Sequence, residues 1–205
     1  MKREKPPISS HSLVLADTSL FCRIEETLTW MGLLRLLDHF DERLRIVTDV
    51  NRELSGHERG DFPGLRVMRT APMKGQFLRG PAEPLPADLS VKVGQIAPML
   101  PSAEDSDNPK KNFGEVATAL LAREIGVVAV IDDTDGRAVA HRRNVMTYTT
   151  REVAVEMAAL GVLTDDDAAR LWAKVFKYER ERRYFDAAVT AARASLGRDS
   201  DAVPS

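Results

Sequence analysis

Apolar positions along the chain follow two rhythms. Short unbroken apolar blocks alternate with stretches in which apolar residues recur every three or four positions. Unbroken blocks of about four to eight residues suit strands buried on both faces, and the three-to-four spacing suits amphipathic helices. On this basis Leu13-Val14-Leu15-Ala16 predicts a first strand. Ile24, Leu28, Met31, Leu34 and Leu37 predict one amphipathic helix over 24–37. Leu44 to Thr48 predicts a second strand, with a short helix through Leu54 that Gly56 stops. After a long irregular segment, Glu115 to Ile125 predicts a helix ended by Gly126. Val127-Val128-Ala129-Val130-Ile131 predicts a third strand, Thr134 to Arg142 a short helix, and Val145 to Tyr148 a fourth strand. Thr149 with Glu152 fits a capping box for a helix ending at Gly161, and Thr164 caps another running toward Phe176.

Strands alternating with helices predict βαβ units, hence an α/β fold with a parallel sheet covered on both faces. Residues 57–112 break the rhythm. Eight prolines fall between Pro63 and Pro109, with room for a strand at Leu65–Met68 and a helix at Leu89–Leu100, and 102–111 predicts a mobile loop. The expected organisation is a flexible arm at 1–11, a domain at 12–176 with its irregular segment at 57–112, a basic C-terminal helix at 177–197 and a disordered tail at 198–205.

Composition narrows the function classes. The 205 residues carry 29 Lys+Arg against 31 Asp+Glu, so binding of nucleic acid by bulk charge is excluded while local patches are not. One cysteine, Cys22, rules out an internal disulfide and a Cys-rich zinc site. No apolar run approaches about 18 residues, and no apolar core follows the charged N-terminus, so neither a membrane span nor a signal peptide is expected, and the cytoplasm is the expected compartment.

Candidate chemistry lies where the strands end. Ligands of open parallel sheets sit outside the carboxyl ends of the strands. Asp17-Thr18-Ser19 follows the first strand, Asp49 and then Glu53 the second, and Asp132-Asp133 with Asp135 the third, while Glu115 opens the helix leading into the third strand. An Asp after a strand is commonly just a helix cap, and a first-turn Glu is favoured by the helix dipole. Several carboxylates delivered to one edge, however, repel one another and persist around a hard dication. Without His or Cys, that set suits Mg²⁺ or Mn²⁺. Such ions activate water and neutralise charge in phosphodiester hydrolysis.

These segments resemble the PIN-domain nucleases. Val14-Leu15-Ala16-Asp17-Thr18-Ser19 resembles that family's opening strand and acidic signature, and Val47 to Leu54 resembles its second acidic motif, pointing to Glu53. Gly114 to Ala122 resembles the Gly-Glu-x-x-Ala helix of one branch, Val130 to Arg137 with Ala140 its Asp-Asp turn, and Val145 to Leu163 its last strand and helix. Asn112 stands about where the family often has an Asp. The resemblance implies a three-layer α/β/α sandwich and a Mg²⁺- or Mn²⁺-dependent endoribonuclease that cuts single-stranded RNA. It implies Asp17, Glu53, Glu115 and Asp133 as the catalytic, metal-holding acids, Asp132 as the alternative in the same turn, and Ser19 as the group orienting the attacking water. Many bacterial relatives of this kind are toxins, which admits an antitoxin partner and a homodimer.

Phosphate contact requires cations. Arg69 and Lys74 in the irregular segment, and Arg137, Arg142 and Arg143 after the Asp-Asp turn, are the candidates. Trp30 and Trp172 read as packing residues. Three alternatives remain open: a non-cutting module of the same fold, a DNA nuclease, and a phosphohydrolase with Asp17 as nucleophile. Ser19 counts against the last, which usually has Asp at that position.

Overall fold

The computed structural model describes residues 5–56, 82–104, 112–173 and 177–200. Its centre is a four-stranded, all-parallel sheet of β1 (Val14–Ala16), β2 (Leu44–Arg45), β3 (Val128–Val130) and β4 (Thr147–Tyr148), in the order β2-β1-β3-β4. Parallel neighbours need crossover connections, and helices supply them. The helices are α1 (Thr18–Thr27), α2 (Trp30–Phe40), α3 (Thr48–Gly56), α4 (Ala87–Ile96), α5 (Pro101–Glu104), α6 (Phe113–Ile125), α7 (Thr134–His141), α8 (Thr150–Ala159), α9 (Asp165–Trp172) and α10 (Glu179–Ser200). Every residue of β1 and β3 is buried. Successive strand residues point to opposite faces, so both faces of the sheet are covered. The arrangement is compatible with a three-layer sandwich.

Several expected elements take a different form. The helix expected over 24–37 is two helices. Leu28 and Thr29 have extended backbone, and the Thr29 hydroxyl caps α2 by accepting from the Gly32 N–H at 3.1 Å. A cap residue in the middle of an apolar periodicity is what divides it. The second strand is short, but Glu83 continues that edge: its N–H donates to the Ile46 carbonyl at 2.8 Å and its carbonyl accepts from the Thr48 N–H at 3.0 Å. The described part of the irregular segment is largely helical. Leu89 and Val93 of α4 are buried, and α4 packs on α6. The helix expected to reach Leu100 turns to 3₁₀ at Ala97–Met99, where Pro98 lies. The strand expected at Leu65–Met68 lies outside the described residues.

Helix α6 is buried on more than the one face its apolar spacing predicted. All of Val116 to Ala122 is inaccessible, because α6 is covered by α3, α4 and α7 as well as the sheet. Ala117, Ala119 and Ala122 permit that close approach.

The expected arm at 1–11 needs correcting for its described part. Ile8 is fully buried. The Glu156 carboxylate of α8 accepts from the N–H of Ile8 at 2.6 Å and of Ser9 at 2.8 Å. The Tyr148 hydroxyl donates to the Pro6 carbonyl at 2.6 Å, and Lys5 bonds the Thr147 carbonyl at 2.7 Å and pairs with Glu152. Burial, with Glu156 and Glu152 nearby, raises the Tyr148 pKa, so the hydroxyl keeps its proton and remains a donor. The prolines and polar residues hid one apolar anchor, Ile8, and a partner for the Tyr148 hydroxyl of β4.

The C-terminal helix also differs in extent, running from Glu179 to Ser200 into the range expected to be a disordered tail. It packs on α8 and α9 through Phe185 and Val189, and Arg193 pairs with Asp165 at 2.8 Å. It is therefore part of the domain. Among the described residues, no helix is long and apolar enough to cross a membrane.

Ile8→Ala should lower stability by about 3 kcal/mol, the ordinary effect of truncating a buried Ile. Urea denaturation checks this. A loss below about 0.5 kcal/mol would mean that the N-terminal segment lies on the domain without contributing to its core.

Candidate functional site

The sheet order places the first functional side chains. From β1 the chain proceeds outward to β2 in one direction, and β3 adds on β1's other side, so the order reverses between β1 and β3. At such a switch point the crevice beyond the carboxyl ends forms the natural site of a parallel sheet. Ala16 and Val130 are register partners there, and Asp17 and the Asp132 segment leave the sheet side by side. The Asp17 N–H donates to the Val130 carbonyl at 3.1 Å.

Asp17 is fully buried and caps α1, its Oδ1 accepting from the Leu20 N–H at 3.3 Å, while Oδ2 accepts from the Asp132 N–H at 3.3 Å. Both bonds are long and weak. Burial, and then the nearby Glu115 and Asp132 carboxylates, raise the Asp17 pKa well above the usual range, and the two backbone donors only partly offset this. The Asp132 Oδ1 accepts from the Thr150 N–H of α8 at 2.7 Å, tying the ends of β3 and β4 together.

Glu53 and Glu115 come in from α3 and α6. Glu53 Oε1 accepts from the Gly114 N–H at 2.9 Å, and Oε2 accepts from the Thr18 hydroxyl. Glu53 thereby braces the starts of α1 and α6. Two glycines make the crowding possible. A Cβ at Gly114 would lie 2.7 Å from Glu53 Oε2, and one at Gly136 would lie 2.8 Å from the Glu115 Cβ and 2.9 Å from Ile131 Cγ2. The start of α7 thus lies directly against the stem of Glu115.

The other candidate residues divide. Asp133 caps α7, its Oδ1 accepting from the Gly136 N–H at 2.9 Å, so of the two acids in that turn it is Asp132 that faces Asp17. Ser19 lies partly buried in the first turn of α1. Arg137 directs its guanidinium to the Asp132 carbonyl and to Thr134 Oγ1, and Arg143 bonds the Val139 carbonyl at 3.1 Å, so both have partners within the protein. Arg142 is exposed. Arg69 and Lys74 lie outside the described residues. Asp49 stands in the first turn of α3, and Asp135 accepts from the Ser102 N–H at 2.9 Å, which ties α5 to α7.

Sequence reasoning did not single out Thr18, Thr150 or Asp167. The Thr118 and Thr150 hydroxyls are buried without a hydrogen-bond partner among the described residues. Asp167, in the first turn of α9, is buried against the start of α2. Its carboxylate accepts from Thr29 Oγ1 at 3.4 Å and pairs with Arg170 at 2.5 Å. Thr29 as a cap-type residue was the available sign of a helix start there; its contact with Asp167 is long-range, and a Cβ at Gly32 would come 3.0 Å from Asp167.

The donor set at the sheet edge is entirely carboxylate and hydroxyl oxygen, which in kind fits a hard divalent cation. As the side chains stand, no three His, Cys, Asp or Glu residues among those described form a group that could hold a metal ion. No protein-family model matches this chain, nor does any curated protein or solved structure match it significantly.

The raised Asp17 pKa has a sign. Below about pH 3.9, Asp17 is protonated in both folded and unfolded chains and contributes nothing. As pH rises from there toward the folded-state pKa, the folded chain binds the proton more tightly, so stability falls, and above that pKa the full penalty persists. Asp17→Asn should therefore be more stable than the parent at pH 8, with the difference shrinking toward pH 4. Urea denaturation at both pH values measures it. A less stable variant at pH 8 would show that the cap bonds outweigh the charge.

Proposed function

We propose that this chain is a PIN-like nuclease that hydrolyses single-stranded RNA with a divalent cation, Mg²⁺ or Mn²⁺, held by Asp17, Glu115 and Asp132. The observation that carries the reading is the emergence of Asp17 and Asp132 from adjacent strands at the switch point of a parallel sheet, with Glu115 close enough to be felt by Asp17. A buried carboxylate beside two others is costly unless a proton or a cation compensates it. A bound dication would supply charge neutralisation at the phosphate and an activated water. Glu53, occupied by Thr18 and Gly114, holds the starts of α1 and α6 in place and so fixes where Asp17 and Glu115 project. The Asp132–Thr150 bond does the same for β3 and α8. Asp133 has the structural task of starting α7.

The lack of a preformed three-carboxylate group among the described residues favours a second reading, in which the same fold serves as a non-cutting binding module. One assay separates the two. The purified chain is incubated with a labelled single-stranded RNA and its DNA counterpart, with Mn²⁺, with Mg²⁺, and with EDTA. RNA should be cut only with metal, and Asp17→Asn and Asp132→Asn should each reduce the rate by about 100-fold or more. Cutting that survives EDTA would remove the metal mechanism. Cutting of DNA alone would change the substrate. No cutting under any condition would leave the binding module.

A further inference from the structure

Between α1, α8, α9 and the start of α10 lies a cavity of about 510 Å³ that none of the roles above uses. Its walls among the described residues include Arg23 of α1, Arg151 of α8, Trp172 of α9, and Lys177, Glu181 and Tyr184 around the start of α10. We propose that this cavity takes one base and the adjoining phosphate of a single-stranded nucleic acid whose backbone crosses the acidic edge. The choice of ligand rests on the nuclease reading.

Size, charge and shape each bear on it. The volume lies within the range of about 300–1,000 Å³ that encloses small ligands. Three cationic side chains face one carboxylate, and Glu181 already accepts from the Lys177 N–H at 2.8 Å. Among the described residues none of the three cations has a salt-bridge partner. Uncompensated cations around a cavity call for an anion. Two are guanidinium groups, whose planar fork matches phosphate oxygens in pairs.

The aromatic residues narrow the anion further. Trp172 sets its edge against Phe185, with ring centroids 5.7 Å apart, and carries the Arg151 guanidinium over its ring 5.5 Å from the centroid. Arg151 and Trp172 thus put a cation and an aromatic ring together at one wall of the cavity, chemistry that a base and its phosphate use. Tyr184 is 68% exposed, which for a ring of that size at a cavity wall offers a second stacking surface. A bare phosphate would leave both rings unused. An acidic peptide would meet the cations but make no use of flat stacking surfaces. A nucleotide uses both.

Position ties the cavity to the acids. Arg151 directly follows Thr150, whose N–H is bonded to Asp132. Arg23 lies five residues after Thr18, roughly 8 Å along the helix that begins beside Asp17. A strand lying over Asp17 and Asp132 therefore reaches the cavity with its next nucleotides, between the start of α8 and the middle of α1.

The test is fluorescence anisotropy of the full chain in EDTA, with a fluorescein-labelled single-stranded RNA octamer. Tyr184→Ala should weaken binding by about tenfold, and Tyr184→Phe, which keeps the ring, should restore it. Arg151→Gln should reduce the slope of log affinity against log salt by about 0.7, the signature of one lost phosphate contact on a single strand. Circular dichroism and a melting curve confirm that each variant is folded. The same octamer as DNA distinguishes the source of the strand, and losses of this pattern with either one support the cavity. Unchanged affinity and slope in both variants would overturn it. So would equal binding of a duplex, or competition by inorganic phosphate as effective as that by a mononucleotide. Because binding is read without metal, it is independent of cutting. A chain that binds in this Tyr184- and Arg151-dependent way but never cuts loses the nuclease reading and keeps the cavity, and one that cuts with unaffected binding loses the cavity alone.

Discussion

The fold turns on the pairing of β1 with β3. That one parallel contact brings Asp17 and Asp132 to the same edge, buries Asp17 completely and sets two long backbone hydrogen bonds against the repulsion of like charges. The surrounding elements are arranged to hold this crowded edge in place. Glu53 reaches from α3 to fasten α1 and α6, Thr150 fastens α8 to Asp132, and Gly136 lets α7 lie against Glu115. Each of these contacts involves the start of a helix. Helix starts carry free N–H groups and a positive dipole end, which offset part of the repulsion among the carboxylates.

The parts of the fold legible in the sequence were those with an unbroken local signal. The apolar blocks at Val14–Ala16 and Val128–Val130 could only be buried strands, and Asp after each placed an acid at the sheet edge. The Thr149–Glu152 capping box and the Thr164 cap stand where the spacing put them. The errors arose where a long-range contact outweighed local pattern. Thr29 falls within the helix expected over 24–37, but it begins a second one, next to Asp167 from much later in the chain. Ile8 is one apolar residue among prolines and polar groups, and its burial depends on Glu156. Neither partner has a local signature.

Similar logic divides the acids of the site. Strand order placed Asp17, Glu53 and the Asp-Asp turn at one sheet edge and left the end at which Glu115 lies open; the tasks of these acids could not be read from it. Asp132 and Asp133 are adjacent in sequence and chemically identical, yet one faces Asp17 and the other begins a helix. The register at the end of β3 decides this, through the Ile131 N–H bonded to the Tyr148 carbonyl in the neighbouring strand. Asn112 is similar. It adopts a left-handed backbone that Asn tolerates well, and its amide donates to Ser102 Oγ at 2.9 Å, where an ionised Asp could only accept.

The β1–β3 pairing also governs how the protein is made. Asp17 and the Asp132 N–H that it meets are 115 residues apart, whereas β1 and β2 are separated by only about 30. Closing a loop of that size carries an entropic penalty that grows with length, and sheets built on such distant contacts form slowly. During synthesis the first β-α-β unit therefore has its neighbours available long before β3 leaves the ribosome. Until then one side of β1 is an open edge, the kind that pairs readily with foreign strands. The acidic centre has no partial form. It comes into existence in a single late event, when the third strand closes the gap beside the first, and a chain that stops short of that event carries the carboxylates without the site.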